Sequence, residues 1–234
     1  MIAFRSLYEA RHMLLRLTAV AAAILLILLV MKPRPGGEEG DANTPFPAKL
    51  FADARAGDWA SYVVAATENG RRAEPEVFAI RVTSVEGDRV TTRFETRRGS
   101  GPLHEGATRV FSMSRPPTVA ELLAAPGARI AIENVQLAPE RRSFETRSFR
   151  CTRVTFDRRG LVPEEGSAHV VAWVSPEIPG GIFSVLAIGA DAHESSTVLV
   201  WELAGFGRGP RPTLGRTLDE IPSLAPDGPF IDAR

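Results

Sequence analysis

The chain is poor in the residues that most often carry chemistry. Among its 234 residues there is a single cysteine, Cys151, so no internal disulfide is available. Histidine occurs only four times. The 28 basic and 28 acidic residues give a formal net charge of zero, and we therefore expect no nucleic acid partner. The single cysteine excludes a small protein held together by disulfides, and the absence of a basic excess argues against a nucleic-acid-binding protein.

Motifs for nucleotide and acyl-transfer chemistry are also missing. The sequence contains no Gly-x-Ser-x-Gly elbow, no P-loop and no dinucleotide fingerprint. Gly99-Ser100-Gly101 follows a predicted strand, but Pro102 and the lack of a following helix argue against phosphate binding. We predict no catalytic, cofactor-binding or metal-binding residue and no cofactor.

Histidine, cysteine and acidic side chains remain the candidates for a hidden site. The cluster Asp191, His193 and Glu194 could supply metal ligands, but its Gly, Ala and Ser neighbours are typical of a hairpin turn. Cys151 lies in an alternating stretch without a nearby histidine, and we interpret it as a buried structural thiol. The other candidates, none with a recognisable partner, are His12, His104, His169 and the acidic pairs Glu38-Glu39 and Glu164-Glu165.

What the sequence does contain is one long apolar run, 17–31, close to its N-terminus. Counted from Met13, the segment 13–31 has 19 residues and one charge, Arg16. As a helix it spans about 28 Å, close to the roughly 30 Å hydrocarbon core of a bilayer. It has no polar face, which disfavours a core helix. We predict a transmembrane anchor over 13–31.

A cleaved signal peptide is the alternative interpretation of this run. Arg5, Arg11 and Arg16 provide a basic start, but Val30-Met31-Lys32-Pro33 lacks the small-x-small cleavage pattern. No cysteine follows directly for lipoprotein processing. Three Lys or Arg residues precede the run and two follow it. This slight excess before the run favours a cytoplasmic tail over 1–12 and an exported C-terminal domain. We expect a single-pass protein of the inner (cytoplasmic) membrane with a periplasmic domain.

Composition divides the rest of the chain into three parts. Residues 32–49 are rich in Pro, Gly and acidic residues and are predicted to form a flexible linker. Residues 50–206 are predicted to form a β-rich extracytoplasmic domain. Residues 207–234 are predicted to be a Gly/Pro-rich C-terminal tail. Its apolar stripe, which either folds back on the sheet or docks on a partner, consists of Leu218, Ile221 and Leu224.

Within the domain, alternating segments predict an antiparallel sheet. The clearest hairpin joins 77–85 to 90–97 through Glu86-Gly87-Asp88. Residues 119–125 are the one convincing helical stretch, with Thr118 and Glu121 forming a capping box. We predict a mainly β fold, an antiparallel meander or curled half-barrel with one short helix, beside the transmembrane helix. The other predicted strands are 59–67, 108–113, 129–135, 144–156, 168–174, 182–188 and 196–203.

The most distinctive local stretch runs from Trp173 to Ile182. Pro176 and Pro179 fix an extended crossing, and Gly180-Gly181 allows a tight reversal. The stretch resembles uncharacterised bacterial envelope proteins with a Trp-x-Ser-x-Glu-x-Pro-x-Gly pattern. The strand layout resembles the curved-sheet lipoprotein carriers of the LolA/LppX type, although this chain has no lipobox cysteine. That resemblance implies a half-barrel around an apolar cavity for acyl chains.

Three function classes follow from these observations. The first is a membrane-anchored extracytoplasmic binding or accessory module for a hydrophobic ligand, lipid or protein partner. The second is a structural subunit of a membrane complex, with Ala21, Ala22 and Ala23 packing against another helix. The third is a hydrolase with an unrecognised site, which requires a histidine within hydrogen-bond reach of Ser or Asp in a pocket. We expect the chain not to be an enzyme.

Overall fold

A computed structural model describes residues 40–69, 71–98, 104–124, 130–160, 166–190 and 196–209. The predicted anchor over 13–31 lies outside these ranges, as does the predicted tail beyond residue 209. Within the described ranges, no helix is both long enough and apolar enough to cross a membrane.

One antiparallel sheet contains all the strands of the described residues. Its order is β5-β4-β3-β1-β10-β9-β8-β7-β6, with the two-residue β2 beside β1. The pairing of β1 with β10 joins two meanders, one made of the first strands and one of the last. The elements are β1 (Asp58–Glu68), β2 (Arg71–Arg72), β3 (Glu76–Glu86), β4 (Arg89–Arg98), β5 (His104–Ser112), α1 (Val119–Leu123), β6 (Ile130–Phe144), β7 (Arg147–Gly160), β8 (Ser167–Val174), β9 (Ile182–Ala190) and β10 (Ser196–Arg208).

The sheet curls around a single main core. Buried side chains from both meanders, such as Tyr62, Val90 and Val154, belong to the same apolar cluster. The strands β5 and β6 remain the two edges, so the sheet does not close. The prediction of a mainly β, curled antiparallel half-barrel with one short helix is confirmed.

Residues 40–54 form a plug in the concave face. Phe46 and Phe51 are 2% and 1% exposed, and the Phe51 ring stacks on Phe111 with centroids 4.3 Å apart. Gly40 and Val135 exchange two backbone hydrogen bonds of 2.7 and 3.0 Å. The segment predicted as a linker, 32–49, therefore overlaps the folded domain from residue 40 onwards, because Phe46, which lies between two prolines, packs into the core.

The structure replaces two separate predicted strands by one long hairpin. The strand β6 continues through the predicted gap to Phe144, and the turn to β7 places Glu145 at φ 53°. Pro139 is tolerated because β6 is an edge strand, where a missing N–H costs no ladder bond. A register shift between Glu133 and Gln136, with Asn134 at φ 56°, interrupts the sequence alternation.

The short helix α1 begins with the predicted capping box. Thr118 Oγ1 accepts from the Glu121 amide at 3.2 Å, and Glu121 Oε2 accepts from the Thr118 amide at 2.8 Å. Val119 and Leu122 point into the core. A five-residue helix is marginal alone, so its stability depends on these contacts and on the sheet.

The distinctive stretch after Trp173 forms the corner between β8 and β9. Gly180 and Gly181 adopt φ values of 84° and 78°, the left-handed region that glycine occupies without a Cβ penalty. A Cβ on Gly180 would also lie 2.9 Å from Ile80 Cγ2. The Ile178 side chain is 1% exposed and anchors the corner in the core.

Candidate functional site

The concave face of the half-barrel contains a mainly apolar cavity of about 350 Å³. Strands from both meanders and α1 contribute to its wall. The cavity lies beside the plug and extends along β9 towards Gly189. Its lining side chains are Phe94, Arg109, Leu122, Leu123, Ile130, Phe156, Arg158, Ser167, Ala168, Val170, Ile182, Val185, Ala187, Gly189, Thr197, Leu199 and Trp201.

Small residues on the inward face of β8 and β9 leave this space open. Ala168 is opposite Gly189, and Val170 is opposite Ala187 in the strand register. Gly189 is a different case: a Cβ there would lie 2.7 Å from the Ala168 Cβ, so its missing side chain reflects the close approach of β8 and β9 and does not itself create space. At the other end of β9, the plug residue Leu50 comes within 3.1 Å of the Cβ position on Gly181. The core is therefore filled at one end and hollow at the other.

The charged side chains that line the cavity are both arginines. Arg109, on edge strand β5, donates to the carbonyl oxygens of Glu121, Leu122 and Ala124 at 3.2, 2.8 and 2.5 Å. Its guanidinium carbon lies 4.8 Å from the centre of the Phe94 ring. Partial burial lowers the pKa of Arg109 from its ordinary value. This arginine binds the C-terminal end of α1 and holds the helix against the cavity.

Arg158, on β7, is the second lining cation. It is opposite Ala168 in the β7–β8 register and is partly buried. Its neighbour Arg159 points to the other face, where it is 70% exposed and lies 3.8 Å from Glu133. The lining contains no Asp, Glu, Lys or His. The cavity is therefore apolar with a positive character.

A second, polar groove of about 270 Å³ contains a histidine–aspartate pair. Asp157 and His169 are opposite each other in the β7–β8 register, and His169 Nδ1 lies 2.8 Å from Asp157 Oδ1. Asn134 donates to Asp157 Oδ2 at 2.7 Å. Partial burial raises the pKa of Asp157, but the hydrogen bonds from Asn134 and His169 outweigh it, so its pKa lies below the usual range.

The His169–Asp157 pair provides one part of a hydrolase site, a histidine within hydrogen-bond reach of an aspartate in a groove. Because an ionised carboxylate only accepts, Asp157 orients the imidazole through Nδ1–H. His169 Nε2 is buried and has no hydrogen-bond partner among the described residues. Among the described residues, no nucleophilic side chain is therefore hydrogen-bonded to His169 Nε2. Nor do the described residues contain a group of His, Cys, Asp and Glu fit to hold a metal ion.

The two voids meet at one rim of the sheet. Both are lined by Arg158, Ser167, Ala168 and Gly189. Ser167 is exposed, so the rim is where the apolar cavity reaches the surface. One end of an elongated molecule in the cavity would extend past Arg158 into the polar groove.

Of the remaining sequence candidates, His104 and Cys151 lie within the described residues, and neither lines a void. His104 is exposed on the edge strand β5. Cys151 is 5% exposed, and burial raises its thiol pKa to about 11. Several candidates lie outside the described residues, namely His12, Glu38-Glu39, Gly99-Ser100-Gly101, Glu164-Glu165, Asp191, His193, Glu194 and the stripe Leu218, Ile221 and Leu224.

Reasoning from motifs missed the residues that form the cavity. A usable pattern was present in β9, where Val185, Ala187 and Gly189 decrease in size along one face. A strand that carries ever smaller residues on its inward face cannot fill a curled sheet. Arg158 gave no such indication, because β7 carries arginine on both faces.

Comparison with known proteins assigns no family. No family model matches the chain, and no curated protein matches it. Among solved structures, a candidate exported protein of Bacteroides fragilis with a YmcC-like fold is similar at 13% identity and a TM-score of 0.46. The match covers 71% of this chain and 100% of that one. A similarity at this level carries no argument about function.

Proposed function

We propose that this chain is a membrane-anchored extracytoplasmic binding module that holds one hydrophobic ligand, a lipid or an acyl chain, in its concave cavity. The observation that carries the proposal is the mainly apolar cavity of about 350 Å³ on the concave face. Ligand sites typically measure about 300–1,000 Å³ and combine apolar walls with a few polar groups. The resemblance to LolA/LppX-type carriers points to the same class of ligand.

The size of the cavity favours a single chain. About 350 Å³ is close to the lower limit for small-molecule sites. Several acyl chains of a lipoprotein would need considerably more room. The proposal is therefore narrower than the resemblance implies: a one-chain ligand, held by Leu, Ile, Val, Phe and Trp side chains.

The proposed anchor over 13–31 gives the module its source of ligand. A domain tethered to the inner membrane samples molecules that partition between the bilayer and the periplasm. The alternative, a structural subunit of a membrane complex, would use the anchor and the outer surface of the sheet. It predicts that filling the cavity leaves the assembly and its activity unchanged.

Filling the cavity tests the proposal. Ala187→Phe adds a ring to the inward face of β9, and Ala187→Leu adds a smaller volume at the same point. Leu186→Phe, on the opposite face of the same strand, is the matched control. The full chain would be extracted from membranes in a mild detergent, and bound small molecules would be counted by native mass spectrometry. We expect one ligand per chain in the wild type and in L186F.

The volume series decides the outcome. We expect occupancy to fall in A187L and to disappear in A187F, while circular dichroism and the melting temperature remain close to those of L186F. Equal occupancy in all four proteins would place the ligand elsewhere. No ligand and no uptake of added fatty acid or fatty alcohol in the wild type would contradict the binding proposal.

A further inference from the structure

Resting on the membrane anchor of the proposed function, we propose that the end of the β6–β7 hairpin binds the anionic head groups of the membrane that holds the anchor. This hairpin end, residues 140–150, contains four arginines and two glutamates. The strand β8 pairs with β7 only from Thr152 onwards, so the hairpin end projects beyond β8. The rim of the cavity lies at the other end of β7 and would be far from the bilayer.

Three arginines of the hairpin end are exposed. Arg141 and Arg150 are directly opposite each other in the β6–β7 register, where like charges destabilise a strand pair. Arg147 lies beside the turn, with its guanidinium carbon 5.0 Å from the centre of the Phe149 ring. Among the described residues, none of the three forms an ion pair with a carboxylate. Their charges can therefore pair with an external anion.

The acidic residues around the hairpin end do not balance this charge. Glu140 lies 3.8 Å from Arg153, a further arginine that is almost buried. Glu177 accepts from the backbone amide of Arg150 at 3.1 Å rather than from its guanidinium. Glu145 contributes one negative charge at the turn. The exposed surface of the hairpin end is therefore positive.

Arginines lie on both faces of the hairpin end. Because side chains alternate along a strand, Arg141 and Arg150 belong to one face, and Arg142 and Arg147 belong to the other. A protein partner would cover one face of a hairpin, whereas a layer of lipid head groups surrounds both. Guanidinium groups match phosphate oxygens through paired hydrogen bonds. This distribution of charge fits the surface of an anionic bilayer better than an acidic protein.

The course of the chain places the hairpin end on the side of the anchor. Gly40 and Val135 form an antiparallel bridge, which directs the chain before Gly40 towards the hairpin end. Residues 32–39 separate the predicted anchor from Gly40, and eight residues span at most about 28 Å. From Val135 the strand β6 runs on to Phe144, a length of about 30 Å. A bilayer within reach of this tether is therefore within reach of the hairpin end.

The test uses the full chain in nanodiscs of phosphatidylcholine, with or without phosphatidylglycerol. A diazirine amino acid replaces either Thr146 or Ser167, and both positions are exposed. Thr146 lies in the turn of the hairpin end, and Ser167 lies at the rim. After illumination, lipid adducts are counted by mass spectrometry of the intact chain.

Two double variants remove equal charge from opposite ends of the sheet. Arg141→Gln combined with Arg150→Gln changes the hairpin end. Arg71→Gln combined with Arg159→Gln is the matched control, since Arg71 pairs with Glu68 and Arg159 pairs with Ser167 at the other end. Melting temperatures of both double variants, measured in the same discs, should remain close to that of the wild type.

In discs with phosphatidylglycerol, we expect lipid adducts at position 146 and few at position 167. Arg141→Gln with Arg150→Gln should lower labelling at position 146 about 5- to 30-fold, because each arginine near an anionic surface strengthens its binding about fivefold. Added salt should lower the same labelling in the wild type by screening the charges. The matched control should resemble the wild type.

Each contrary outcome overturns a defined part of the inference. Equal labelling at position 146 with and without phosphatidylglycerol overturns the membrane as the partner and leaves an acidic protein in its place. Stronger labelling at position 167 than at 146 overturns the orientation. An equal loss in the matched control overturns the assignment to Arg141 and Arg150.

Failure of the proposed function has a different signature. A chain that leaves the discs in a high-salt wash contradicts the anchor over 13–31 and, with it, this orientation. A chain that stays in the discs but shows any of the contrary labelling patterns overturns the present inference and leaves the proposed function intact.

Discussion

At the residue scale, Tyr62 connects β1 to the start of β9 through the core. Its side chain is 0% exposed, and its hydroxyl donates to the Ile182 carbonyl at 2.7 Å. Its ring contacts Phe78 with centroids 5.7 Å apart. Burial raises the pKa of Tyr62 far above its ordinary value. The burial of this hydroxyl therefore determines both its hydrogen bond to Ile182 and its raised pKa.

Tyr62→Phe should change both the stability and its dependence on pH. Removing the hydroxyl leaves the Ile182 carbonyl buried without this donor, and we expect a loss of about 1–3 kcal/mol in unfolding free energy. Because the folded state raises the pKa, the contribution of Tyr62 is present below the unfolded value of about 10 and is lost as the pH rises further. Urea unfolding from neutral to alkaline pH measures both effects.

In Tyr62→Phe, the unfolding free energy should fall less steeply with rising alkaline pH than in the wild type. Cys151 contributes a separate loss that begins near its unfolded pKa of about 8.5, since burial raises its pKa as well. The two are distinguished because only the step above about pH 10 disappears in Tyr62→Phe. Identical alkaline slopes in the wild type and the variant would refute the coupling.

The sequence predicts residues well where the cause is local. The capping pair Thr118 and Glu121 and the glycines at positions 180 and 181 follow from backbone chemistry within a few residues. The place of Arg158 in the cavity lining could not be predicted, since it depends on which face of β7 becomes concave. That choice is made by strands far away in the chain.

At the element scale, α1 shows how a short helix is held by its two ends. The capping box satisfies its N-terminal amides, and Arg109 satisfies carbonyls at its C-terminal end. The helix has no basic residue of its own in its last turn. The cation that the C-terminal end favours therefore comes from β5.

Arg109→Met should loosen α1 more than the matched change at Arg115. Arg115 lies 2.6 Å from Glu121 but is 56% exposed, and exposed pairs contribute about 0–1 kcal/mol. Arg109→Met removes hydrogen bonds from a partly buried cation, and we expect a loss of about 1–3 kcal/mol. Hydrogen exchange should rise at residues 119–124 in R109M and change little in R115M. The reverse order would contradict the role given to Arg109.

Elements were predictable where strands pair with their neighbours in sequence. The hairpin of β3 and β4 follows from alternation around a Gly/Asp turn. The β6 strand was not predicted in full, because the bulge near Asn134 and the edge proline Pro139 interrupt the alternation. The plug was missed because its composition is that of a linker, although Phe46 and Phe51 are buried.

At the scale of the whole molecule, the cavity results from a sheet that curls but does not close. The pairing of β1 with β10 brings the two meanders together along the whole length of β1. The plug and α1 fill one end of the concave face, and the small residues of β8 and β9 leave the other end hollow. Sequence alternation predicted the curled sheet, whereas the hollow end depends on which small residues face each other.

The central claim is that the ligand occupies the hollow end of the half-barrel. The most direct measurement is methyl NMR of the full chain in nanodiscs with a fatty acid that carries a spin label on its chain. The label should broaden the methyl signals of Ile130, Val185 and Leu199, which line the cavity. It should spare Val110, which is 49% exposed on β5, and Leu186 on the outward face of β9. Broadening of Val110 and Leu186 with sharp cavity methyl signals would contradict the account.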